Sequence, residues 1–121
     1  MIYIGVAGTS SVALQHKPAP TSEDRLPFIA LLRSDKWVDR NKGGWLLINL
    51  TQSRDAKLLK QLRKEAMDAL VEMARWQFAG HASFARRLLG RIGGIEEAKL
   101  NTLVLQNDQA EGIIVAARKS H

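Results

Sequence analysis

The chain contains no cysteine among its 121 residues, which excludes disulfides, thiolate metal sites and a cysteine nucleophile. That absence fits a reducing compartment. No apolar run approaches the roughly 18 residues that a membrane span requires. The first residues, Met1-Ile2-Tyr3-Ile4-Gly5-Val6-Ala7-Gly8, lack the positive n-region of a signal peptide, so the chain reads as mature sequence of a cytoplasmic protein with no membrane partner. Acidic residues are in short supply: 12 Asp and Glu stand against 18 Lys and Arg, a formal net charge of +6. A balance of that sign favours polyanionic partners through long-range attraction and says nothing of the fold.

Several motifs are also missing. Gly5-Val6-Ala7-Gly8-Thr9-Ser10 follows an apolar stretch as phosphate loops do, but it lacks their spacing and their lysine and reads as a turn. Asp39, Asn41, Gly43 and Gly44 resemble a calcium-loop opening, yet Leu50 stands where the bidentate glutamate belongs. Glu65, Asp68 and Glu72 share a helix side without the second carboxylate-and-histidine helix that a metal site of that kind needs. Gly90-Arg91-Ile92-Gly93 has the G-x-x-G spacing that clamps nucleotide backbones, but a long helix precedes it where such domains place a strand. Its glycines read as a helix end. His81 and Ser83 lie close in sequence with no nucleophile elbow around them. No catalytic residue, metal or cofactor is expected, and a non-enzymatic role is favoured; a small enzyme with an unrecognised site is the third alternative.

What is present is an ordinary globular composition, 45% apolar and 25% charged, in a length that suits one domain. Ile2, Ile4 and Val6 alternate as in a strand over Met1–Ala7, and Gly8–Ser22 reads as loop. Leu26–Arg33 reads as a short helix with Pro27 at its first position, although Phe28–Leu32 suits a buried strand equally. Asn41-Lys42-Gly43-Gly44 reads as a turn before Trp45–Leu50, whose unbroken apolar character suggests an interior strand. From Arg54 to Ala79 the spacing of Leu59, Leu62, Ala66, Leu70 and Met73 predicts a long amphipathic helix capped by Ser53. Gly80 should break it, a shorter helix follows over Ala82–Leu89, and Ile95–Leu100 adds a turn of helix. Thr102–Gln106 and Ile113–Ala117 read as a closing hairpin. The expected fold is therefore a single α+β domain over residues 1–121. A long and a shorter helix pack on one face of an antiparallel or mixed sheet of about four strands.

The feature with most bearing on function is a gap in the acids. Between Glu72 and Glu96 there is no Asp or Glu, while Arg75, Arg86, Arg87 and Arg91 occur there with His81, Trp76, Phe78 and Phe84. Arg87 and Arg91 stand four apart on the predicted helix, where like charges repel unless an anion lies between them. Guanidinium forks match phosphate and carboxylate oxygens, so the window suits a nucleic-acid backbone or an acidic protein surface. Lys57, Lys60 and Lys64, in a second basic run with Arg54 and Arg63, would extend it. The structural alternative pairs these arginines with Glu65, Glu96 or Glu97. The leading expectation is a binding or assembly module that engages nucleic acid or another polyanion through Arg75, Arg86, Arg87, Arg91, Lys57, Lys60 and Lys64. The alternative is a protein-interaction subunit of a larger, phage-like or homo-oligomeric assembly, using the loop before Pro27 and the hairpin edges. Trp45 and Trp76 read as core residues and Trp37 as the exposed tryptophan.

Overall fold

The stripe Leu58, Leu62, Ala66, Leu70 and Met73 is the backbone of the core, each residue buried on one side of a single helix. A computed structural model, which describes residues 22–120, makes that helix the third in the chain, the first of the second helical hairpin, and shows helices and no strand among those residues. The helices are α1 (Ser22–Leu31), α2 (Trp37–Leu50), α3 (Ala56–Ala74), α4 (Ala79–Ile92), α5 (Glu97–Leu103) and α6 (Ala110–Lys119). A short 3₁₀ turn, Asn107–Gln109, leads into α6. α1 packs on α2, α3 packs on α4, and the two hairpins stack through α1–α3 and α2–α4 contacts, with α6 laid across α3 and α4.

The expected α+β fold is thus overturned: no strand occurs among the described residues, and the positions assigned to the sheet from Trp45 onward are helical except for the turn at 104–106. Trp45–Leu50 is the second half of α2, and the turn assigned to Asn41–Gly44 is its middle. Tertiary packing explains the glycines there. A Cβ on Gly43 would stand 2.7 Å from the Leu31 Cβ, and one on Gly44 would stand 2.3 Å from the Phe84 ring. The pair is a notch that lets α1 and α4 approach α2, and the closeness of that packing outweighs the modest helix cost of glycine. The closing hairpin is replaced by the end of α5 and by α6, whose Ala110, Ile113, Ile114 and Ala117 bury one face at helical spacing. The strand assigned to Met1–Ala7 and almost all of the loop to Ser22 lie outside the described residues.

Other expectations shift less. The helix read at Leu26–Arg33 is present but starts at Ser22, which puts Pro27 inside it rather than at its first position. The long helix is shorter than expected, with Asp55 as cap in place of Ser53: the Asp55 carboxylate accepts from the Leu58 amide at 3.3 Å. The chain turns at Arg75–Phe78, and Gly80 falls in the first turn of α4 instead of breaking a helix. α4 occupies the centre. From Phe84 to Ile92 every residue is buried except the half-buried Arg87, because α2, α3, α5 and α6 cover it on different sides. No helix among the described residues is long and apolar enough to cross a membrane.

Candidate polyanion-binding surface

The central position of α4 decides where its arginines go. Arg86 is fully buried. Its Nε–H donates to the Ala74 carbonyl at 2.8 Å, one Nη to the Val104 carbonyl at 3.1 Å, and the other to the Trp76 carbonyl and the Asn107 side-chain oxygen, both at 2.9 Å. Ala74 ends α3, and Val104 follows α5, so one guanidinium satisfies carbonyls that two helix C-termini leave without partners. Desolvation pulls its pKa below the ordinary arginine value, since burial penalises the charged form. Arg86 is a structural clamp with no face toward solvent.

Arg87 and Arg91 converge on one carboxylate. Arg91, 6% exposed, binds Glu97 as a fork, Nε at 2.9 Å and Nη2 at 3.0 Å, while its Nη1 donates to the Ile48 carbonyl at 2.6 Å and the Thr51 hydroxyl at 2.8 Å. Arg87 donates to the same carboxylate at 2.8 Å. Arg54 reaches it from the α2–α3 connection at 2.9 Å and also donates to the Ile95 carbonyl. The anion that the Arg87–Arg91 spacing calls for is therefore supplied within the chain, by α5. Hydrogen bonds from Arg91 foremost, then from Arg54 and Arg87, hold the Glu97 carboxyl down to about 2, against the opposing effect of its partial burial.

Arg75 lies apart from this node, exposed at the end of α3. It forms a bidentate pair with Glu111 of α6, 2.8 and 3.0 Å, which raises the arginine pKa and lowers that of the glutamate. The four arginines of the acid-free window thus form no common surface: one is a buried clamp, two share Glu97, and one is paired across helices. The other glycines and histidine of that region follow suit. A Cβ on Gly90 would overlap the Leu100 side chain at 2.2 Å, so the G-x-x-G segment is packed rather than open. His81 packs at a tilt against Trp37 (centroids 4.3 Å apart) and edge-to-face with Phe78 (4.6 Å), and no hydrogen bond joins it to Ser83. The tryptophans exchange places relative to expectation: Trp37 is half-buried against Trp76, and Trp45 is 54% exposed.

The second basic run fares differently. Lys57, Lys60 and Lys64 are exposed on the N-terminal half of α3 and take part in no ion pair among the described residues. Lys60 borders a cavity of about 260 Å³ that Arg54 and Arg63 also line. Arg63 donates to the Arg118 carbonyl at 2.8 Å, capping the C-terminus of α6, and Arg118 and Lys119 extend the positive surface from there. Arg118 and Lys119 are not singled out when Thr102–Ala117 is expected to be a hairpin; the helical spacing of Ala110, Ile113, Ile114 and Ala117 is the signal that places them at a helix end. Groups of metal-ligating side chains are absent among the described residues. Comparison with known proteins finds no matching family model, no similar curated protein and no similar solved structure.

Proposed function

We propose that this chain is a non-enzymatic helical binding module that engages a polyanion, nucleic acid by backbone contact foremost, through the N-terminal half of α3. The observation that supports this is the contrast in how its cations are used. Arg75, Arg86, Arg87 and Arg91 are engaged within the fold, whereas Lys57, Lys60 and Lys64 stand exposed, without acidic partners among the described residues, beside Arg54, Arg63 and the end of α6. Flexible ammonium groups on one helix face suit phosphates as point charges and carry no base readout. The contact is predicted to be strongly salt-dependent. Each neutralised phosphate of duplex DNA contributes a slope of about −0.9 to log Kobs against log salt, so three lysine contacts predict a slope of roughly −3. Gel shifts with random-sequence duplex at several salt concentrations check this. No binding at low salt, or binding indifferent to salt, would sink the proposal.

A second reading, self-association, is favoured by a different surface. Trp45 (54% exposed) and Leu105 (64%) flank a cavity of about 240 Å³ between α2, α4 and α5 that Ile48, Phe84 and Val104 also line. An exposed aromatic beside an apolar recess is the kind of patch that a two-fold contact covers. Light scattering on the eluting peak should then show a dimer that Trp45→Glu dissociates; a monomer at high concentration would exclude it.

A further inference from the structure

The cavity at the start of α3 is lined by Arg54, Lys60 and Arg63, with Ala56, Leu59 and Ile92 forming an apolar wall and Ser120 at its edge. No carboxylate lines it. Two carboxylates border its lining residues, Glu97, which Arg54 shares with Arg87 and Arg91, and Asp55, the N-cap of α3, against three cations in the lining itself. Two observations mark it as more than a solvated basic face. Arg54 holds φ at +58°, in the left-handed region that non-glycine residues seldom adopt, and its guanidinium donates to Glu97 and to the Ile95 carbonyl. The Arg63 Nε is buried and makes no hydrogen bond, although a guanidinium inside a protein ordinarily has all its donors satisfied.

Three cationic residues lining one recess suit a dianion, and the apolar wall suits a ligand whose charged group carries a carbon body. We infer that this cavity binds a phosphate monoester, the phosphoryl oxygens held by Arg54, Lys60 and Arg63 and the ester group lying against Leu59 and Ile92. The inference deepens the polyanion proposal and rests on it in one respect: on a nucleic-acid strand, the monoester is a terminal phosphate, seated in the cavity while Lys57 and Lys64 track the internal phosphodiesters.

The test uses the full chain in two arms. In the first, fluorescence anisotropy compares a single-stranded oligonucleotide carrying a 5′-phosphate with the same oligonucleotide ending in a 5′-hydroxyl. Binding tighter by about fivefold or more for the phosphorylated strand is expected, with the advantage lost in Lys60→Gln and in Arg63→Gln. In the second, titration with phenyl phosphate should raise the melting temperature in the wild type at constant ionic strength, and not in Lys60→Gln. Lys60 is exposed and joins no ion pair among the described residues, so its variant tests the site without endangering the fold. If both oligonucleotides bind equally and phenyl phosphate has no effect, the phosphate site is wrong while the polyanion proposal stands. If phenyl phosphate stabilises the wild type but neither strand binds, the site stands and the nucleic-acid reading fails. Stabilisation that persists undiminished in Lys60→Gln and Arg63→Gln would identify an adventitious ion only and overturn the site.

Discussion

Arg86 shows most sharply how the same residue type can mean opposite things. In a window without acids it invites a phosphate, but it is wholly buried and its guanidinium is consumed by three carbonyls and Asn107. Replacing it by methionine should destabilise the chain by roughly 3 kcal/mol or more, because each buried carbonyl left unpaired costs about 1–3 kcal/mol. Arg86→Lys should recover little of this, since one ammonium cannot span the fork's partners. Urea denaturation measures both; stability unchanged in Arg86→Met would contradict the clamp. Glu97 gives a second prediction. Its folded pKa, about 2, lies below the ordinary 4.5, so the unfolded chain binds the proton more readily and the carboxylate's stabilising contribution is complete above the ordinary value. That contribution should fade as pH drops from about 4.5 through about 2. Glu97→Gln should be less stable at neutral pH and should flatten that part of the acid-unfolding profile; an unaltered profile would show that the three arginines do not depend on it.

At the scale of elements, α3 and α4 were readable and α2 and α6 were not. The difference is how each buries its surface. α3 has a clean apolar stripe against charged neighbours, so its period stands out. In α2 the run Trp45–Leu50 is apolar on nearly all sides, which suits an interior strand as well as a helix packed by two neighbours, and Gly43-Gly44 looks like punctuation when read without its neighbours. In α6 the β-branched Ile113, Ile114 and Val115 favour a strand locally, although only the two isoleucines are buried, as helical spacing requires. The glycines permit a direct check. Gly44→Ala would place a Cβ against the Phe84 ring and should destabilise by about 1–3 kcal/mol. Gly112→Ala in α6, where nothing stands within 4 Å, should stabilise by about 0.5–1 kcal/mol. Thermal melts that gave both substitutions the same sign would contradict the packing described here.

For the molecule as a whole, net charge is a poor guide and its distribution a better one. The acid-free window exists because α4 is the central helix: its arginines serve carbonyls and a carboxylate brought by other elements, and counter-ions need not lie nearby in sequence. Which cations remain for a partner depends on tertiary placement, which no local spacing in the chain reveals. The seven residues singled out from the sequence divide cleanly, the four arginines turned inward or paired and the three lysines left outside. The proposed contact with the polyanion is made by the lysine face and not by the arginine window. Its most direct measurement compares duplex binding at low salt by the Lys57→Glu, Lys60→Glu, Lys64→Glu triple variant and by Arg75→Ala, the one exposed arginine of the window. The prediction is a loss of at least tenfold in the triple variant and a change of less than twofold in Arg75→Ala; the reverse ranking, or equal affinities in all three proteins, would contradict it.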